Sequence, residues 1–403
     1  MKSASSNASF ATFDINHALA NMSAQFELLE PPKDAISSIC FSRDSRALAV
    51  GSWDGHVHIH GLDTHPAATL AFVKVSPPDS YLQERLPDRE PVLDICFGAI
   101  GEGVFSVGLS GGVYEGRING AEGRLYSTHG EASNKVAYSP EQNLLISTSW
   151  DSTMHVHDAT SGRYIRLALP SKPFALSTTP TRVVVAMAQR KVSVYNLSDL
   201  RARVDEISAV DPEDDTASDA ERKIQHIEPW QQRESSLKFM TRAVACMPDD
   251  AGFVTSSIEG RVGVEWFQPE RQGDMYAFKC HRQIEKTTDE DGNEQEVDVV
   301  FPVNALAFHP VYGSFATGGG DGVVALWDAK SKRRIKQYPK LSSSIAALAF
   351  SGDGKWLAMG VSPSFEDGGE EDVVEPGSVK IVVRALTEGE AKGKAMKEKA
   401  GKS

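Results

Sequence analysis

Short apolar runs recur along this chain in one order. Each opening run is followed by a turn, a second run that ends in Ser and Gly, another turn and a third run. The opening runs start near Ile36, Val92, Asn134, Phe174, Arg242, Val303 and Ile345, which spaces them by 56, 42, 40, 68, 61 and 42 residues. The fullest copy reads Val303-Asn304-Ala305-Leu306-Ala307-Phe308 and turns at His309-Pro310. It resumes from Ser314 to Gly319, turns at Asp321-Gly322, and runs from Val323 to Leu326 into Trp327-Asp328. Short β-branched or aromatic runs bounded by Gly, Pro, Asp and Ser predict strands joined in antiparallel hairpins.

Three of the spacings fit a repeat of about 40–45 residues with four strands each, and the three long ones each contain a polar insertion. Seven such units predict an all-β fold, a seven-bladed WD-repeat β-propeller. Several units lack the terminal Trp-Asp and end on His60-Gly61, His157-Asp158 or Tyr195-Asn196 instead. The last unit supplies strands near Ile345–Phe350, Trp356–Val361 and Val379–Arg384 but no fourth. The early segment Phe26-Glu27-Leu28-Leu29 has no partner of its own, so it is expected to complete the last blade and leave no open sheet edge. The propeller then spans 26–388. Residues 1–25 and 389–403 are expected to be disordered, and the acidic stretches near 204–229, 285–299 and 363–377 to be surface insertions, with a Pro-rich loop at 75–90.

Charge and cysteine usage narrow the class. A net charge of −13 argues against nonspecific binding of nucleic acid, which needs a basic footprint. Cys40, Cys96, Cys246 and Cys280 form no C-x-x-C pair and read as small hydrophobes in a reducing compartment. No apolar stretch approaches the roughly 18 residues of a membrane span, and no signal peptide is apparent, so a cytosolic or nuclear location is expected.

Tests for chemistry return mostly negatives. Neither H-E-x-x-H nor a nucleophile elbow occurs. Gly318-Gly319-Gly320-Asp321-Gly322 lacks phosphate-loop spacing and precedes a strand where a helix is required. The run Asp289-Glu290-Asp291-Gly292-Asn293-Glu294 lacks the alternating ligands of a calcium loop. His56, His58 and His60, and His155 and His157, alternate as strand residues do and read as packing. No catalytic residue, metal or cofactor is therefore expected.

The candidates for binding lie on one face, where the second-to-third strand turns and the connections between blades meet. Ser52-Trp53-Asp54 and Ser149-Trp150-Asp151 occupy two such turns. Asp54, Asp151 and Asp321 suit the tight turns themselves. Trp53 and Trp150 are not required by the turn, and tryptophan is favoured at binding hot spots. In the fifth unit, Arg242 precedes the first strand, Glu259-Gly260-Arg261 forms the turn, and Lys279 lies in a strand returning to the same face. Three cations on one edge of an acidic protein suit a carboxylate or a phosphate. The alternative is internal pairing of Arg261 with Glu259 or Glu265.

Several strings in this region are more specific than a repeat signature. Gln231 to Lys238, Thr241-Arg242, Ser256-Ser257-Ile258-Glu259-Gly260-Arg261-Val262, Tyr276 to Arg282 and Phe315 to Gly319, with Pro31-Pro32 and both Ser-Trp-Asp turns, resemble the Bub-three family of mitotic checkpoint proteins. The resemblance spans roughly 26–388. It implies a non-enzymatic adaptor of the spindle assembly checkpoint, found in the nucleus, at mitotic kinetochores and in the cytoplasm. It also implies binding to an acidic motif of a Bub-family kinase and of its pseudokinase or Mad-type relative, within the mitotic checkpoint complex. A second implied ligand is the phosphorylated Met-Glu-Leu-Thr repeats of the kinetochore scaffold. By position, Arg242 would meet the acidic motif, Trp53 and Trp150 would line its path, and Arg261 and Lys279 would hold the phosphothreonine. Direct nucleic-acid and membrane binding are not implied. The rival readings are the related Rae-type messenger-RNA export adaptor and a generic WD-repeat scaffold.

Overall fold

A computed structural model describes residues 25–62, 70–75, 90–99, 103–117, 123–210, 223–288, 294–363, 374–375 and 377–392. Seven antiparallel sheets follow one another in chain order. Their first strands are Ile36–Phe41, Val92–Phe97, Ser133–Ser139, Pro173–Thr178, Thr241–Cys246, Val303–Phe308 and Ile345–Phe350. Each first strand packs against the first strand of the next blade, and that of blade 7 packs against that of blade 1, so the ring closes. The strand Gln25–Glu27 pairs antiparallel with Lys380–Ala385 and supplies the fourth strand of blade 7. Phe26 meets Trp356 edge-on, with ring centroids 5.9 Å apart.

The second strands lie between neighbouring blades and are buried on both faces, Leu144–Ser149 and Ser314–Gly319 throughout. Burial on both sides explains why they are not alternating. Their small residues set how closely blades approach. A Cβ on Gly318 would fall 2.4 Å from Cγ2 of Ile345 in the next blade.

Two segments differ from the sequence expectation. The stretch expected to be a solvated acidic insertion near 204–229 opens as a helix, α1 (Leu197–Val210). Leu197, Leu200 and Val204 are buried in the core shared by blades 3 and 4, which gives the helix an apolar face despite its charge. Ile224–Gln225 then adds a parallel strand to the edge of blade 3. At the C-terminus, part of the stretch expected to be disordered forms a one-turn helix, α2 (Glu388–Ala391). It is held because Glu390 lies between Lys336, 2.8 Å away, and Arg384, 3.0 Å away. Ala391 is buried beneath it, and its carbonyl accepts a 2.6 Å hydrogen bond from Ser314 Oγ. The stretch near 285–299 is a twisted ribbon of two strands, Arg282–Thr288 and Glu294–Val300, between blades 5 and 6. The expectations for 1–24, 76–89, 211–222, 289–293, 364–373 and 393–403 lie outside the described residues.

Candidate functional site

Turn chemistry places the loops of the upper face. Asp54, Asp151 and Asp321 each accept a hydrogen bond from the amide two residues on, at 3.0, 2.8 and 3.1 Å. In blade 2, Ser110 does the same for Gly112 at 3.3 Å. The carboxylates also anchor histidines. Asp321 holds His281 at 2.8 Å, and His281 meets Thr317 at 2.9 Å. Trp327 donates its indole N–H to Thr317 at 3.0 Å. In blade 3, His129 contacts Thr153 and Ser147 at 2.8 and 2.9 Å, and His157 occupies the register of Trp327. An imidazole therefore fills the indole position in blade 3, as His60 does in blade 1, while Tyr195 fills it in blade 4. In blade 1, Asp54 bonds His56 and His58 from its own strand at 3.2 and 2.8 Å.

Among the described residues, Asp54, His56 and His58 are the one set of three metal-ligating side chains with atoms within 4.8 Å of each other. Both histidines are already hydrogen-bonded to Asp54, which also accepts the His56 and Lys33 amides. Burial raises the Asp54 carboxyl, but the hydrogen bond and charge of His58 outweigh it and hold the carboxyl at about 2. The four cysteines are free, and burial pushes their thiols up, to about 12 for Cys246 and Cys280.

A cavity of about 700 Å³ opens at the centre of this face. One residue per blade forms its ring: Ser37, Leu93, Asn134, Phe174, Arg242, Asn304 and Ala346. Each sits where the pairing of the first and second strands shifts register by one residue. A bulge leaves one residue unpaired in the ladder, and here it does so once in each blade beside the cavity. The side chains of Ser37, Asn134 and Asn304 reach across to the next blade.

Arg242 is thus inside its strand, at the bulge, and not before the strand as the sequence indicated. It is exposed, and its Nε donates to Asn304 Oδ1 at 3.1 Å. Trp53 and Trp150 line the same cavity. Trp53 is 45% exposed, and Lys172 lies 5.6 Å above the ring of Trp150.

Arg261 and Lys279 stand elsewhere, on the third and fourth strands of blade 5, Arg261–Trp266 and Tyr276–Lys279. They are direct partners across the ladder. The three cations therefore divide into a central one and an outer pair. Arg261 also lies 3.0 Å from Glu259, the internal pairing considered from the sequence, whereas Glu265 faces Arg233 at 3.7 Å. The bulge ring, Lys172, and the exposed Phe239, Met240 and Ile258 beside Arg242 were missed from the sequence. Each of the seven bulge positions is the second residue of its first strand, which for Asn134, Phe174 and Arg242 is where the sequence placed the start of the run.

Comparison with known proteins agrees with this architecture. The family description "WD domain, G-beta repeat" matches residues 25–60, 122–158 and 299–328. A solved structure, "Structure of U3-55K", aligns with a TM-score of 0.65 over 90% of this chain and 98% of that one. At 15% identity that is a likeness of fold alone. "Mitotic checkpoint protein BUB3.1" of Arabidopsis thaliana is 36% identical over 383 residues, covering 92% of this chain and 96% of the relative. The chain belongs to the Bub3 family of mitotic checkpoint proteins. This Bub3-family chain is also 31% identical to "Spindle assembly checkpoint protein bub3" of Schizosaccharomyces pombe, over 85% of the chain and 92% of the relative. "Poly(A)+ RNA export protein" of the same organism is 26% identical over 89% of each.

Proposed function

We propose that the protein is a non-enzymatic adaptor of the spindle assembly checkpoint that acts by binding two kinds of anionic peptide on its upper face. The central cavity takes an acidic motif of a Bub-family kinase or its pseudokinase or Mad-type relative, with Arg242 meeting glutamates and Trp53 and Trp150 lining the path. The outer pair, Arg261 and Lys279, takes the phosphothreonine of Met-Glu-Leu-Thr repeats in the kinetochore scaffold. Joining the two would recruit checkpoint proteins to unattached kinetochores. A nuclear and cytoplasmic pool outside the kinetochore belongs to the same reading.

The observation that carries this reading is the register of blade 5. Like charges directly opposite across a ladder are destabilising, and Arg261 and Lys279 are such a pair at the exposed strand ends. An anion between them reverses the sign, and a phosphate adds about −1.5 to −2 charges with three acceptor oxygens. The test is calorimetric titration with a Met-Glu-Leu-phosphothreonine peptide and its unphosphorylated twin. Arg261→Ala and Lys279→Ala are each expected to weaken the phosphopeptide by about 1–3 kcal/mol. Equal affinity for the two peptides, or intact affinity in both variants, would sink the assignment. The messenger-RNA export reading predicts instead that an acidic peptide binds with no effect of phosphorylation.

A further inference from the structure

Glu259 stands inside the outer cation pair. Its Oε1 lies 3.0 Å from Nε of Arg261, yet among the described residues that nitrogen makes no hydrogen bond. The contact is one of charge without alignment. Aligned charge-assisted hydrogen bonds are the strong ones, so this contact is weaker than the one a well-placed acceptor would make. The glutamate is nonetheless held in place. Its backbone carbonyl accepts a 2.9 Å hydrogen bond from Arg282, whose other nitrogen reaches Asp298 of the ribbon at 3.1 Å. The following residue, Gly260, has φ +64°, and a Cβ there would lie 2.7 Å from the carbonyl oxygen of Cys280. The turn is therefore clamped, and the Glu259 side chain is only 19% exposed. Lys279 is exposed and, among the described residues, has no carboxylate at ion-pair distance. Among the described residues the site thus brings together two cations and one carboxylate, which touches only one of them.

We propose that Glu259 is a resident counter-ion that occupies Arg261 until an anion displaces it, and so reserves the outer site for a phosphate. This rests on the reading of Arg261 and Lys279 as the phosphate site. An aspartate or glutamate side chain arriving at Arg261 exchanges one carboxylate for another and gains little. A phosphate has oxygens enough to engage Arg261 with better alignment and Lys279 at the same time. Displacing Glu259 lowers the affinity for both kinds of ligand. The phosphate offsets more of that loss, because its larger charge and third oxygen let it engage Arg261 and Lys279 together more strongly than a carboxylate does.

The substitution that separates these effects is Glu259→Gln, which keeps shape and the backbone contact to Arg282 while removing the charge. Two peptides are titrated by calorimetry against the full chain: Met-Glu-Leu-phosphothreonine and the same peptide with glutamate in place of phosphothreonine. The variant is expected to bind the phosphopeptide about threefold or more tightly, the size of a partly exposed ion pair. The glutamate peptide, expected not to bind measurably to the unsubstituted chain, becomes a measurable ligand. In an Arg261→Ala background the gain from Glu259→Gln should vanish, because the two residues then share no contact. Unchanged or weakened phosphopeptide binding in Glu259→Gln overturns the proposal and makes Glu259 a support that orients Arg261. Retention of phosphopeptide affinity in Arg261→Ala and Lys279→Ala instead overturns the site itself. Failure of the phosphopeptide to bind either protein overturns both. A urea midpoint equal to that of the unsubstituted chain shows that Glu259→Gln has not acted through folding.

Discussion

At the scale of residues, the same aspartate serves turn and core. Asp321 is 5% exposed and bonds both His281 and the Val323 amide, so removing it strands a buried imidazole and an amide donor. Asp321→Ala is expected to lower the unfolding free energy by about 1–3 kcal/mol, measured by urea denaturation, as when a buried donor is left without its acceptor. Gly260→Ala tests the clamped turn. A side chain at φ +64° is strained, and this one also meets two carbonyl oxygens, those of Cys280 and Phe301. A loss of about 1–3 kcal/mol is expected, with phosphopeptide affinity falling as the turn shifts Arg261. The tight-turn aspartates were legible because the turn demands them. The Glu259 contact was legible only as one of two alternatives, since spacing alone does not say whether Glu259 or Glu265 lies nearer Arg261.

At the scale of elements, the strands were readable from short apolar runs and their punctuation, within a residue or so of their starts. The helix α1 was not, because it runs into the acidic stretch after it, which reads as a solvated insertion. Its apolar positions, Leu197, Leu200 and Val204, do follow a helical spacing, three and then four residues apart. Leu200 is fully buried against blades 3 and 4. Leu200→Ala is expected to destabilise the chain by about 2–5 kcal/mol, with the amides of α1 and of Tyr164–Ala168 losing hydrogen-exchange protection first. Protection unchanged in those strands would show that the helix is an appendage and not part of the core. The α2 contact was also beyond sequence reading, since Lys336 comes from blade 6, 54 residues before Glu390.

At the scale of the whole molecule, closure and buried histidines set the response to acid. Burial lowers His60 to about 4, with the charge of His58 adding to it. Burial also lowers His129 to about 4, partly opposed by Asp151. In the unfolded chain these imidazoles titrate near 6.5, so between about pH 6.5 and 4 the unfolded state binds more protons. Stability is therefore full above pH 6.5 and falls as the pH drops toward 4. Below about 3.8 the loss of the Asp54 contribution adds to it, down to about 2. Urea midpoints measured from pH 7.5 to 4.5 should fall, and His129→Gln should flatten part of the slope. A slope identical in that variant would assign the acid response to other groups.

The sequence by itself determined the number of blades, their order and the turn aspartates, and it singled out the cations proposed to meet an anionic partner. These follow from local causes: strand period, turn conformation and the chemistry of single side chains. Only the tertiary structure decided which of those residues meet. Seven bulges set one residue per blade at the central cavity, bringing Arg242 into it with Trp53 and Trp150. Strand register sets Arg261 opposite Lys279, and a clamped turn brings Glu259 to Arg261. The physical reason is that a propeller joins residues through ladder register and ring closure, and both depend on contacts between segments far apart in the chain.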